Sequence, residues 1–91
     1  MLNHLNITLY GTVQGVFLRR TVQKEAQRVG IFGFIKNASD GTVYIEAEAS
    51  EEILSKFVAW LRVGAGEGDY KISQVESASG TFKAFDKFEI K

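Results

Sequence analysis

The residues from Gly11 to Arg19 combine two glycines with an arginine where a strand pattern gives way to a helix pattern. A glycine-containing turn that enters a helix presents backbone N–H groups and the positive end of the helix dipole to one point, which favours a phosphate or another oxyanion. Arg19, in the first helical turn, can complete such a site with a planar, permanently charged guanidinium. The same residues also fit a plain tight turn followed by a solvated arginine, so both interpretations stay open.

Asn37 is the second candidate, because it ends an apolar strand pattern and directly precedes a turn at 38–41. Asp40-Gly41 is the sharpest turn signal of that segment. Asparagine is frequent beside tight turns for reasons of backbone conformation alone. Taken by itself, Asn37 therefore fits a structural role as well as a catalytic one.

Other side chains offer little for catalysis or metal binding. The chain contains no cysteine, which excludes disulfides, thiol chemistry and cysteine-ligated metals. The one histidine, His4, lies near the N-terminus, so we interpret it as an incidental surface residue and predict no metal site. Glu46 and Glu48 alternate with apolar residues along a strand pattern. Nothing pairs them as an acid–base couple, and we expect both to face outward as solvated charges.

Strands and helices predicted from the hydrophobic pattern must position the candidate residues. Apolar and polar residues alternate in 5–10 and in 43–48, which is the period of half-buried strands. Apolar residues recur at helical spacing in 18–29 and in 53–61. Ser50 is a suitable N-cap for the second of these helices.

Further strand patterns occupy 31–37, 70–75 and 82–90, and the alternation in 70–75 slips, which indicates a β-bulge. Three glycines in 64–69 predict a mobile surface loop. The core residues expected in the last strand are Phe82, Phe85 and Phe88. We take the order as βαββαβ, an α+β ferredoxin-like sandwich in which two helices cover one face of a four-stranded antiparallel sheet.

The composition is that of one ordinary globular domain. A chain of 91 residues has room for a single domain, 1–91. Its 11 basic and 11 acidic side chains cancel, which argues against a nucleic-acid binder and against electrostatic recruitment to an acidic membrane. No signal-peptide pattern and no apolar run near the roughly 18 residues of a membrane span is visible. We therefore expect a soluble, cytoplasmic protein.

Two motifs resemble the signatures of the acylphosphatase family. The run Val-Gln-Gly-Val-Phe-Leu-Arg at 13–19 is similar to the first signature, in which Val-Gln-Gly-Val precedes a variable position, an aromatic residue and the phosphate-binding arginine. Leu18 stands at the aromatic position, a change that should affect packing more than chemistry. The run Gly-Phe-Ile-Lys-Asn at 33–37, with Gly41 and Val43 at the family's spacing, resembles the second signature. The resemblance extends over nearly the whole chain.

The resemblance implies an acylphosphatase, which hydrolyses the carboxyl–phosphate bond of small acyl phosphates to a carboxylate and inorganic phosphate without cofactor or metal. It implies that Arg19 grips the phosphate and that Asn37 places the attacking water. The loop residues implied to bind the phosphate are Gly15, Val16, Phe17, Leu18 and Arg19. The chemistry is consistent with these residue types, because a carboxylate leaving group needs little beyond positioning and charge stabilisation.

Two alternatives stay open. The first is a non-catalytic module on the same scaffold that binds a small anion or RNA, although zero net charge and the lack of a clear aromatic–basic pair on adjacent strands count against RNA. The second is an acylphosphatase-like domain that acts within a larger protein. We expect a monomeric enzyme whose partner is a small-molecule acyl phosphate, with neither nucleic acid nor membrane as a partner.

Overall fold

Five strands and two helices form the described part of the chain, which comprises residues 1–66, 68 and 70–91 of a computed structural model. These elements are β1 Leu2–Thr12, α1 Val16–Val29, β2 Phe32–Asn37, β3 Val43–Ser50, α2 Glu51–Arg62, β4 Lys71–Ser79 and β5 Phe88–Ile90. No helix in the described part has the length and apolar composition that a membrane span requires.

Both helices pack on the same face of the sheet. The central strands β1 and β3 pair with Ile7 opposite Ile45. These two residues share one buried cluster with Val22 of α1 and Leu54 of α2. The alternation seen in the sequence therefore identified the helix-facing side of both strands correctly, because side chains of a strand point to opposite faces in turn.

The predicted four-stranded antiparallel sheet is wrong in number and in direction. The sheet has five strands in the order β4-β1-β3-β2-β5. The first four are antiparallel neighbours, but β5 lies parallel to β2, from Gly33 opposite Phe88 to Ile35 opposite Ile90. The two strand patterns predicted at the end of the chain, 70–75 and 82–90, thus both contribute strands, on opposite edges of the sheet, whereas the predicted four-stranded arrangement had room for only one of them.

The predicted last strand, 82–90, is too long. Only Phe88 to Ile90 form a strand, and of the three phenylalanines Phe88 is buried, Phe85 is half-buried and Phe82 is exposed. Phenylalanines three residues apart cannot all face one side of a strand, because its side chains alternate with a period of two. Residues 80–87 instead cross irregularly from β4 to β5 over the face opposite the helices.

The slip predicted in the 70–75 segment is confirmed. Tyr10 of β1 pairs with Gln74, but the next residue, Gly11, pairs with Ile72. Ser73 is therefore the extra residue on β4, as in a β-bulge.

The predicted mobile loop at 64–69 includes Glu67 and Asp69, which lie outside the described residues. The prediction of a surface position is wrong for Ala65, which is buried. Its carbonyl oxygen accepts a hydrogen bond of 2.6 Å from the Tyr70 hydroxyl.

His4, Glu46 and Glu48 form a buried polar cluster, so the expectation that all three are exposed is wrong. His4 Nδ1 lies 2.7 Å from Glu48 Oε2, and His4 Nε2 lies 3.2 Å from Glu46 Oε1. Glu48, only 1% exposed, also accepts hydrogen bonds from the backbone N–H groups of Lys83 and Phe85. The strand pattern correctly predicted that these side chains point away from the helices, but residues 80–87 cover them.

This cluster predicts a loss of stability in acid. Burial raises the pKa of Glu48, but hydrogen bonds from Lys83, His4 and Phe85 outweigh burial, so the pKa is lowered overall. A carboxyl group whose pKa is lowered by folding stabilises the fold at pH values above its unfolded-state pKa of about 4.3. This stabilisation is lost as pH falls through the folded-state pKa. Glu48→Gln should cost about 2–4 kcal/mol of unfolding free energy at pH 7.

Urea unfolding of both proteins at pH 7 and near pH 3 measures this effect. The difference between wild type and Glu48→Gln should shrink at the lower pH. Glu52→Gln is a matched control, because Glu52 is exposed and pairs with the exposed Lys56 at 3.3 Å, and such pairs contribute little. An equal cost of Glu48→Gln at both pH values would contradict the assignment.

Candidate functional site

The N-terminus of α1 has no side chain capping it within the described residues. Its N-cap, Gly15, makes no side-chain hydrogen bond, and the first turn contains no acidic residue. At α2, by contrast, Ser50 Oγ accepts a hydrogen bond of 3.3 Å from Ile53 N–H, and Glu51 lies in the first turn. Since the first N–H groups of a helix need acceptors, the start of α1 is, of the two described helices, the one suited to an anion.

The predicted loop residues divide into exposed and buried positions. Gly15 is exposed, and Val16 is the first residue of α1. The Phe17 side chain is 65% exposed, whereas Leu18, at 1%, belongs to the core. Leu18 therefore packs the start of the helix against the core, as its apolar type predicted. The group that it can offer to a ligand is its backbone N–H.

Arg19 is half-buried, with its Nε inaccessible to solvent and without a hydrogen-bond partner among the described residues. A buried donor left without an acceptor costs about 1–3 kcal/mol, and more when the group is charged. The neighbouring Arg20 is exposed, as a solvated helix charge would be. The interpretation of Arg19 as a fully solvated arginine does not account for its buried Nε. The other N–H groups of the guanidinium are the donors that an anion at the start of α1 would use.

Asn37 is the last residue of β2, is exposed and pairs with Val43 of β3. The turn that follows is fixed by its own hydrogen bonds. Ala38 N–H donates to Thr42 O at 2.9 Å, and Asp40 Oδ1 accepts from Thr42 N–H at 3.0 Å and from its hydroxyl at 2.6 Å. These bonds from the Thr42 side chain and backbone lower the pKa of Asp40. Asn37 thus lies at the edge of a turn closed by its own hydrogen bonds.

Gln14 joins the two segments. Its side-chain Nε2 donates to Ala38 O at 2.6 Å and to Thr42 O at 3.0 Å. The structure therefore brings the loop before α1 against the turn after Asn37. Among the described residues, no hydrogen bond joins Arg19 to Asn37 directly. Gln14 was not among the residues predicted for the site. Its place inside the first motif, immediately before the N-cap glycine, is the signal that could have identified it.

A concavity of 560 Å³ lies elsewhere, lined by residues of β1, α2 and β4 that include Leu2, Ser55 and Ser79. It adjoins the start of β1, whereas the candidate site follows the end of the same strand. The lining extends to Leu5, and the seven steps from there to Thr12 at about 3.3 Å each separate the two by roughly 20 Å. The concavity is therefore not part of the candidate site. Within residues 1–66, 68 and 70–91, no group of three or more His, Cys, Asp or Glu side chains is arranged to hold a metal ion.

Comparison with known proteins identifies relatives along most of the chain. The family model described as acylphosphatase matches residues 5–90. An acylphosphatase of Ligilactobacillus salivarius is 33% identical over 90 residues, which are 98% of this chain and 98% of that protein.

Solved structures agree with the sequence relatives. The crystal structure of acylphosphatase from Bacillus subtilis superposes with a TM-score of 0.89 at 33% identity, covering 100% of this chain and 99% of that one. A structure of full-length HypF superposes with a TM-score of 0.91 at 26% identity, but there this chain covers only 12% of the larger protein.

Proposed function

Since this chain belongs to the acylphosphatase family and is an enzyme of that kind, we propose that it hydrolyses small acyl phosphates with Arg19 and Asn37 as catalytic residues. The products are a carboxylate and inorganic phosphate. The observation that carries the assignment of the site is that Arg19, at the start of α1, is half-buried and has a buried Nε without a partner among the described residues, none of whose side chains caps this helix N-terminus.

The phosphoryl group binds at the start of α1. Backbone N–H groups from Gly15 to Arg19 and the Arg19 guanidinium donate to its oxygens. This arrangement is suited to a transition state whose charge is spread over the phosphoryl oxygens, because donors held in place before the reaction need no reorganisation. Leu18, buried in the core, supports this geometry.

Asn37 holds the water in line with the bond that breaks. The water oxygen forms a bond to phosphorus while the bond from phosphorus to the carboxyl oxygen breaks, and its electron pair leaves with the carboxylate. Carboxylic acids have pKa values near 4, so this group leaves without being protonated. An amide is not a base, and the proton of the water passes to an oxygen of the substrate's own phosphate.

The remaining expectations belong to the same proposal. The protein acts as a monomer and a single domain, 1–91, in the cytoplasm, on a small molecule, without nucleic-acid or membrane partners. No cofactor or metal takes part, because the residues assigned to catalysis supply the charge and the water position.

Phosphate release from benzoyl phosphate tests the proposed function. The protein should release phosphate well above the spontaneous rate, with the same rate in excess EDTA. A folded protein that gives only the spontaneous rate would favour the non-catalytic binding module. A rate that collapses in EDTA and returns with Mg²⁺ would contradict the metal-independent mechanism even though the substrate class is right.

A further inference from the structure

The Gln14 side chain makes two hydrogen bonds that cross between distant segments. Its Nε2 lies 2.6 Å from Ala38 O and 3.0 Å from Thr42 O, residues 24 and 28 positions further along the chain. Both partners are carbonyl oxygens, which only accept. The amide therefore has to present its NH₂ group, because its oxygen would be repelled, and each of the two hydrogens has one acceptor.

The turn after Asn37 does not depend on Gln14 for its own conformation. Ala38 O already accepts from Gly41 N–H at 3.3 Å, and Thr42 O already accepts from Ala38 N–H at 2.9 Å. The side chain of Gln14 is exposed, so it adds little apolar burial. What it contributes is a link between the loop before α1 and the turn beside Asn37.

We propose that Gln14 is a positioning residue that fixes Asn37, and with it the attacking water, relative to the phosphate bound at the start of α1. The inference rests on the proposed function. Two catalytic groups on separate segments must keep a fixed relative position, because a displacement of about 1 Å can cost roughly 10²-fold in rate. The two hydrogen bonds of Gln14 fix the position of the loop before α1 relative to the turn after Asn37.

Gln14→Met tests the inference, because methionine keeps the length of the side chain and removes both donors without adding a charge near the phosphate. We expect kcat for benzoyl phosphate to fall by about tenfold to 100-fold. The inhibition constant of inorganic phosphate should change by less than about threefold, because both acceptors of Gln14 belong to the turn beside Asn37 and a loss of positioning lowers kcat rather than ground-state binding.

Gln23→Met is the matched control. Gln23 lies in α1, and its Nε2 also donates to a backbone carbonyl, that of Phe88, at 3.2 Å. The same substitution there removes an equivalent hydrogen bond away from Asn37, so kcat should stay near the wild-type value. All assays are run well below the thermal unfolding midpoint of each variant, which is measured in parallel.

A double-mutant cycle separates positioning from a general loss of structure. In an Asn37→Ala background there is no catalytic amide to position, so adding Gln14→Met should lower kcat much less than it does in the wild type. Equal losses in both backgrounds would overturn the inference. A loss of phosphate affinity as large as the loss of kcat would also overturn it, because Gln14 would then act on the phosphate site.

The outcomes distinguish this inference from the proposed function. A wild type that does not hydrolyse benzoyl phosphate defeats the proposed function, and the inference with it. An active wild type with unchanged kcat in Gln14→Met defeats the inference alone. Gln14→Ala is measured alongside, and if neither variant folds, Gln14 has a structural role and the inference is wrong.

Discussion

Arg19→Ala should lower kcat/KM for benzoyl phosphate by about 10²–10³-fold, the usual cost of removing one preorganised contact to a developing charge. The guanidinium is expected to bind both the ground state and the transition state, so inorganic phosphate should also bind more weakly. Its buried Nε, which has no partner among the described residues, explains why the contact should be strong. A solvated arginine would give up hydration to bind, whereas this one has already lost part of it.

Phosphate binding gives a second measurement of the same variant. A ligand that binds only the folded state raises the unfolding free energy by about 2.7 kcal/mol at a hundredfold excess over its dissociation constant. Phosphate should stabilise the wild type by such an amount, with chloride at equal ionic strength as the reference, and Arg19→Ala should lose most of the gain.

Arg20→Ala controls for the change in charge. Arg20 is the next residue of α1 and is exposed, so its removal alters the net charge equally without touching the site. Its kcat/KM should stay within about twofold of the wild type, since exposed charges beyond contact act weakly at ordinary ionic strength. Equal losses in the two variants would show that the effect of Arg19 is nonspecific.

The sequence predicted the elements near the site better than the rest of the fold. The strand before Gly11, the helix from Leu18 and the turn after Asn37 have strong local signals, and all three are present. Local patterns hold there because each element depends on its own periodicity and on turn residues. The catalytic roles of Arg19 and Asn37 stay predictions, because the structure supplies their surroundings and not their reaction.

The errors concern contacts between segments that are far apart in the sequence. The pattern of β3 correctly predicted that Glu46 and Glu48 point away from the helices. Alternation cannot reveal that residues 80–87 cover them. The parallel pairing of β5 with β2 is likewise a long-range contact without a local signal. Gln14 belongs to the same class, because its acceptors lie 24 and 28 residues away.

Asn37→Ala should largely abolish turnover while inorganic phosphate binds nearly as well as in the wild type. The reason is that Asn37 is assigned to the water and not to the phosphoryl oxygens. Loss of a contact that forms only when the water attacks lowers kcat and leaves the dissociation constant of phosphate unchanged. The expected loss in kcat is about 10²–10³-fold, similar to that for a single preorganised donor.

Stability should change little, because the Asn37 side chain is exposed and the turn after it keeps the hydrogen bonds of Ala38, Asp40 and Thr42. Asn3→Ala is the control for removing an asparagine amide. Asn3 lies at the start of β1, whereas the candidate site follows the end of that strand, so kcat should stay unchanged. The decisive comparison is between Arg19→Ala and Asn37→Ala. If Asn37→Ala weakened phosphate binding as much as Arg19→Ala does, both residues would belong to the phosphate site. The attacking water would then have to be held by another group.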